Sequence, residues 1–258
     1  MDTKAKALRL QELHQAPAIL RMVNVWDAIT TKVISDLPDT KAIATAGHSI
    51  AASHGHKDGA IPLEEALAAL ERITAATDLP VTADLDDGFA DPGETVRRAI
   101  GIGVVGANIE DRLKPLAESV KVMEAAVKAG EAEGVAFQLN ARTDAVVRGG
   151  DKPMQDKLAD AIERGRAYLD AGAALVFVPG VLDREATRTL VEGLGRGKLS
   201  VIGLPGALKA AEYEELGVAR ITYGPTTQRH ALTALKRLAG SLYADGVVPL
   251  DDEPLNNW

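Results

Sequence analysis

The chain is predicted to be α/β, folded as a single-domain (β/α)8 TIM-type barrel. Three observations predict it: eight short apolar or β-branched runs, helical stretches alternating with them, and no Pro/Gly/Ser linker or low-complexity run dividing the chain. Strand–helix alternation implies a parallel sheet, and eight such units in 258 residues fit a closed barrel better than a doubly wound sheet. A chain of this length that is 46% hydrophobic can bury one sizeable core.

In chain order, the predicted strands occupy 19–25, 42–45, 81–84, 105–109, 137–141, 174–178, 199–203 and 220–222. Helices are predicted over 63–76, 94–100, 116–129, 154–171, 184–194 and 208–216. Asp91-Pro92-Gly93-Glu94 opens the second helix like a capping box, whereas Ala171-Gly172 and Leu216-Gly217 read as stops. Gly101-Ile-Gly103-Val-Val-Gly106 formally satisfies the dinucleotide fingerprint, which needs a strand before it and a helix after it. Here the order is reversed, so no nucleotide site is expected.

Composition excludes several function classes. A net charge of −8 without a Lys/Arg run makes the surface poorly suited to nucleic acid or an anionic membrane. The absence of Cys removes disulfides, thiolate zinc sites and cysteine nucleophiles, and it fits a reducing compartment. Met1-Asp-Thr-Lys-Ala-Lys lacks an apolar signal core, and no run approaches the roughly 18 apolar residues of a membrane helix. The expectation is a cytoplasmic enzyme.

The most informative run is Val81-Thr-Ala-Asp84-Leu-Asp86-Asp87-Gly88-Phe89, in which a short strand ends in three carboxylates. Asn108-Ile-Glu110-Asp111 repeats that arrangement one unit later. Parallel barrel strands bring their C-terminal ends to one face, where such carboxylates repel unless a hard cation joins them, which points to Mg²⁺ or Mn²⁺. The alternative is that the acids cap helices. Strand ends also collect Asn24, Trp26 and Asp27, the loop 45–58, and Asn140, Arg142 and Asp144. The planar fork of Arg142 suits a substrate carboxylate or phosphonate, although it could equally form a structural salt bridge to Asp144 or Glu110.

The stretch after the second strand is rich in small residues and holds His48, His54 and His56. Ala46 and Gly47 would let backbone N–H groups approach an anion closely. The histidine spacing matches no helical zinc pair, and a mobile loop with polar tips is the expectation, with general acid/base work by one histidine such as His48 as an alternative.

In combination and order these motifs resemble the isocitrate lyase/phosphoenolpyruvate mutase superfamily. The motifs concerned are Val23-Asn-Val-Trp26-Asp-Ala28, Ala42-Ile-Ala-Thr45, the 53–59 loop, Ala83-Asp84-Leu-Asp86-Asp-Gly-Phe89, Gly106-Ala-Asn-Ile-Glu110-Asp111 and Asn140-Ala-Arg142-Thr-Asp144. The resemblance covers nearly the whole chain. It implies a (β/α)8 barrel, usually a tetramer in which a C-terminal helix is exchanged between neighbours, Mg²⁺, and a 2-oxo acid or its enolate; the expected assembly is a homo-oligomer, dimer or tetramer. On that pattern Asp84 is the principal metal carboxylate, and Asp86 and Glu110 complete the acidic shell, mostly through metal-bound waters. Arg142 is the substrate clamp, and Ala46 and Gly47 are backbone donors, with Ala46 standing where Ser is commoner. Asp58 matches the acid of a gating loop, and Trp26 and Asn140 complete the substrate-binding candidates.

Departures narrow the chemistry. The Lys-Lys-Cys-Gly-His loop of isocitrate and methylisocitrate lyases is absent, a Glu after strand six is replaced by Val178-Pro179-Gly180, and Ser200 aligns where those lyases carry Asn. Phosphonopyruvate enzymes use a Lys and an Asn beyond the strand-four Glu, and only Lys114 is nearby. The expected function is therefore a Mg²⁺-dependent lyase or decarboxylase on an oxaloacetate-like 2-oxo acid, with a proton donated near Asp58 or a strand-two histidine. The alternatives are phosphonopyruvate hydrolase or mutase chemistry and a non-catalytic 2-oxo-acid binder. The acidic end 250–258 reads as a loose tail or an inter-subunit strap.

Overall fold

The computed structural model describes residues 1–249 and 253–256, so most of the 250–258 tail lies outside the described residues. Nine strand segments form one all-parallel sheet: β1 (Leu20–Met22), β2 (Asn24–Val25), β3 (Ile43–Thr45), β4 (Val81–Asp84), β5 (Val104–Glu110), β6 (Gln138–Arg142), β7 (Leu175–Phe177), β8 (Leu199–Ile202) and β9 (Arg220–Thr222). β1 pairs with β9 and β2 with β3, so the two segments on either side of Val23 are halves of one barrel strand that closes the ring. The eight-strand expectation and this observation are the same barrel.

The helices are α1 (Thr3–Gln15), α2 (Ala28–Ser35), α3 (Gly47–Ser53), α4 (Leu63–Ala75), α5 (Pro92–Gly101), α6 (Leu116–Ala132), α7 (Met154–Asp170), α8 (Arg184–Leu194), α9 (Ala210–Leu216) and α10 (Thr226–Asp245). Asp91 Oδ1 accepts from the Glu94 N–H at 3.0 Å with Pro92 in the first turn, and Gly217 ends α9 at φ 97°. The glycine run is helix end followed by strand, as its order implies. Gly106 is required by packing, since a Cβ there would lie 2.7 Å from the Gln138 carbonyl oxygen.

The loop expected after the second strand is corrected at its start. Residues 47–53 form α3, because Ile50 and Ala51 bury against the core while Ser53 returns its hydroxyl to the Ser49 carbonyl at 2.8 Å. Asp27 also caps a helix, accepting from the Thr30 N–H at 2.8 Å.

Buried side chains cover both faces of the sheet, the pattern of parallel strands wrapped by helices. α1 packs Ala7, Leu10 and Leu13 against β5 and β6. α10 is the opposite case: Gln228 is its one buried residue among the described residues, and Leu232, Leu235 and Tyr243 are 55%, 62% and 92% exposed. Among the described residues, no helix is long and apolar enough to cross a membrane.

Candidate active site

The C-terminal ends of the barrel strands surround a cavity of about 380 Å³. Its floor and walls carry Asp84 from the end of β4, Asp86 from the turn beyond it, Asn108 and Glu110 from β5, and Arg142 from β6. Ala46, His48 and Asp58 bring in the segment after β3, while Phe177, Pro179 and Ile202 make one side apolar.

Both loops that hold the carboxylates contain non-glycine residues with positive φ: Asp86 and Phe89 at 50° and 57° after β4, and Arg112 and Leu113 at 47° and 55° after β5. Such conformations persist only where neighbouring structure over-determines them, and they cluster at functional sites. Here the Glu110 N–H donates to the Asp86 carbonyl at 2.7 Å, tying the first strained turn to the next strand. Asp84 is anchored by two bonds: the Gly47 N–H donates to its Oδ2 at 3.0 Å, and its own N–H donates to Thr45 Oγ1 at 3.0 Å. A Cβ on Gly47 would sit 3.2 Å from Asp84 Oδ2 and 3.6 Å from Asp86 Oδ1, so both carboxylates crowd one glycine.

Burial pushes the Asp84 carboxyl up, with Arg142 and the Gly47 N–H opposing. Burial, then the charges of Asp84, Glu110 and Asp58, push Asp86 up to about 7. Burial raises Glu110 too, against the pull of Arg142. Carboxylates held together at such a cost fit a hard divalent cation, which oxygen donors prefer. Among the described residues, no three acidic or His groups form a direct cage; Asp84, Asp86 and Glu110 line the cavity with oxygen donors of the kind such an ion takes.

The candidates predicted from sequence divide into three groups. Asp84, Asp86, Glu110, Arg142, Ala46, His48 and Asp58 share the cavity, and His48 Nδ1 lies 3.5 Å from Asp58 Oδ2 at its edge. Gly47 and Asn140 stand just behind it: the Gly47 N–H is engaged by Asp84, and Asn140 Nδ2 donates to Asn108 Oδ1 at 2.7 Å and to Ser200 Oγ at 3.2 Å. Trp26 is set apart, lining a neighbouring apolar cavity with Ile29, Val33 and His230.

Arg142 makes the salt bridges that were its alternative role, Nη1 to Glu110 Oε2 at 2.7 Å and Nε to Asp144 Oδ1 at 2.8 Å. Burial opposes its charge, and the surrounding carboxylates more than compensate. Asp111 is a fastening residue rather than a cavity acid: its oxygens accept from the Leu113 and Asp144 N–H groups and from Tyr168 Oη.

One cation was expected in the site, yet Arg112, Arg148 and Arg229 also line it. Arg112 Nε reaches Glu110 Oε1 at 2.9 Å, and Arg148 Nε reaches Asp144 Oδ2 at 2.7 Å. The i,i+4 spacing of Asp144 and Arg148 was the available signal for the second; Arg229 stands on α10, which the periodicity did not reveal.

The phosphoenolpyruvate phosphomutase family model matches residues 10–243. The 2,3-dimethylmalate lyase of Eubacterium barkeri is 31% identical over 252 residues, covering 90% of this chain and 83% of that protein. The 2-methylisocitrate lyase of Bacillus subtilis is 26% identical, covering 92% of this chain and 82% of that protein. A crystal structure from Burkholderia cenocepacia J2315, provisionally described as a phosphonomutase, superposes with a TM-score of 0.87 at 33% identity, covering 93% of this chain and 99% of that one. With its barrel and carboxylate-bearing strand ends, the chain belongs to the phosphoenolpyruvate phosphomutase family, within the isocitrate lyase/phosphoenolpyruvate mutase superfamily.

Proposed function

We propose that this protein is a Mg²⁺-dependent carbon–carbon lyase or decarboxylase, with Mn²⁺ as a substitute ion, that cleaves a bond at C3 of a small oxaloacetate-like 2-oxo acid to give an enolate. One observation carries this reading: Asp84, Asp86 and Glu110 share a cavity of about 380 Å³ with Arg142. The lyase names of two relatives support the reaction class.

Four carboxylates (Asp58, Asp84, Asp86, Glu110) and four arginines (Arg112, Arg142, Arg148, Arg229) line the cavity. With all of them ionised these charges balance, so a divalent cation added to them leaves room for a dianionic acid. Bound at Asp84, Mg²⁺ would supply the Lewis acidity that neutralises charge growing on the C2 oxygen. Arg142 exchanges part of its bond to Glu110 for the substrate carboxylate, and its fork fixes the plane of the acid. Phe177, Pro179 and Ile202 offer an apolar wall for the C3 substituent and limit water beside the breaking bond. His48, whose Nδ1 lies 3.5 Å from Asp58 Oδ2 at the cavity edge, is the proposed donor that returns a proton to carbon after cleavage.

Lys114, the residue nearest to a phosphonopyruvate-type lysine, is bound to Asp87 at 3.0 Å and stands outside the cavity lining, which disfavours the P–C alternative. We further propose that the chain assembles as a dimer or tetramer through α10 and works in the cytoplasm.

The test follows oxaloacetate, alkylated oxaloacetates and phosphonopyruvate by proton and phosphorus NMR with Mg²⁺ and an Asp84→Ala control. Consumption of a C–C substrate above the control supports a lyase. Phosphate release from phosphonopyruvate would replace this reading with P–C chemistry, and Mg²⁺-dependent binding without any turnover would replace it with a binding protein.

A further inference from the structure

Asn108 lies two residues before Glu110 on β5, so both side chains leave the same face of the strand, and both line the cavity. Its Oδ1 accepts from Asn140 Nδ2 at 2.7 Å and from Arg220 Nη2 at 3.4 Å. A guanidinium only donates, so Arg220 determines which end of the Asn108 amide is oxygen. Reversing the amide would set NH₂ against guanidinium in a buried region. Asn108 Nδ2 then has no hydrogen-bond partner among the described residues. It is the group that Asn108 has left for the cavity, beside its register partner Asp84.

Arg220 itself is 1% exposed, stands on β9 and does not line the cavity. Its Nε and Nη1 are buried without partners, so the Asn108 bond is the side-chain hydrogen bond its guanidinium makes among the described residues. A buried cation with so few partners is unfavourable for folding alone. The bond to a cavity-lining amide gives it a role in the site.

We propose that Asn108 is a substrate-contacting residue whose Nδ2 donates to an oxygen of the bound organic acid, and that Arg220 is a positioning residue acting through the Asn108 amide. This rests on the cavity being an organic-acid site. Carboxylate and 2-oxo oxygens accept only, and a neutral amide supplies a donor without opposing the cation.

Calorimetric titration of pyruvate and of oxalate, in Mg²⁺, into wild type, Asn108→Ala, Arg220→Met and the double variant tests it, with a circular-dichroism melt of each. Asn108→Ala is expected to weaken binding about tenfold, the worth of one hydrogen bond to an anion. Arg220→Met is expected to weaken binding in wild type and to add nothing in the Asn108→Ala background, because it acts through that amide. Additive losses, or an Asn108→Ala affinity unchanged from wild type, would overturn the proposal. Should Arg220→Met fail to fold, Arg220→Lys keeps a donor on Oδ1 and is expected to retain affinity; a loss as large as that of Asn108→Ala would overturn the lock. Wild type binding neither acid would instead remove the organic-acid reading, and this inference with it.

Discussion

Arg142 Nη1 lies 2.7 Å from Glu110 Oε2, across the register pair that joins β6 to β5. Glu110 is 8% exposed and also holds Arg112, while the same guanidinium holds the fully buried Asp144. The proposed clamp is thus also a structural tie, and substitution separates the two roles. Arg142→Ala leaves two buried carboxylates short of a partner and is expected to destabilise the fold by about 3 kcal/mol. Arg142→Lys retains the charge but loses the fork; it should unfold within about 1 kcal/mol of wild type yet raise KM about tenfold or more. Denaturant titration beside steady-state kinetics decides, and an unchanged KM would leave Arg142 with the structural role alone.

The carboxylates predict how metal removal couples to pH. Asp86 is pushed up to about 7 by burial and by Asp84, Glu110 and Asp58. The folded metal-free chain therefore holds a proton there that the unfolded chain releases in the ordinary carboxylate range. Stability from this group is fully present below that range and lost as pH rises through about 7. In chelator, the wild-type Tm should accordingly fall relative to that of Asp86→Asn between about pH 4 and 7, and Mg²⁺ should restore it most at the alkaline end. A chelated Asp86→Asn protein whose Tm follows pH just as the wild type does would refute the coupling.

Much of the barrel was legible because its signals are local. Strand 81–84, strand 220–222 and helix 184–194 match the structure to the residue, since each is bounded by charged, capping or glycine positions. α2 was missed because Ile29, Thr30, Thr31, Val33 and Ile34 make a β-branched run that reads as strand; the Asp27 cap and its bonds to Thr30 hold it helical. α3 was missed because five of its seven residues are Gly, Ala or Ser. α10 showed no core-facing stripe because it buries so little, and its presence was implied by the resemblance alone.

The site was legible in its acids and less so in its cations. Asp84, Asp86 and Glu110 stand at strand ends, where topology alone brings them together. Arg220 is buried at the first position of β9, where patterning assigns an apolar residue to a buried strand, and its approach to Asn108 spans 112 positions in the chain. No local signal reports such a pair.

His14 sets the expected acid limb. Burial first, then the charge of Arg220, lower it to about 3, against a weaker opposing bond to Gln138. Gln138 Nε2 donates to the Ala136 carbonyl at 2.8 Å, which turns Gln138 Oε1 toward His14 at 3.3 Å and makes Nδ1–H the donor. The unfolded chain takes a proton at this histidine below about pH 6.5 and the folded chain does not, so stability is lost as pH falls from about 6.5 toward 3. The slope from this group approaches 1.4 kcal/mol per pH unit at most. His14→Asn should make the acid limb of a urea-unfolding pH series shallower by about one proton, and an identical limb would show that His14 does not govern it.

α10 carries the assembly prediction. The helix is 20 residues long with Leu232 and Leu235 more than half exposed, three positions apart and so on one face, with Leu242 a full heptad beyond Leu235. An amphipathic helix normally buries such a stripe, and a second copy of this chain is the occupant the superfamily resemblance implies. Leu235→Glu places a charge in the stripe without touching the barrel, where α10 meets β2 near its start. Light scattering should then report a smaller species than wild type, with the barrel's circular-dichroism spectrum preserved. The same mass for both proteins would take the α10 stripe out of the assembly interface. Because Arg229 of this helix lines the cavity, a monomeric variant should also bind the organic acid more weakly if exchange is what seats α10. Undiminished affinity in a monomer would show that each chain completes its own site.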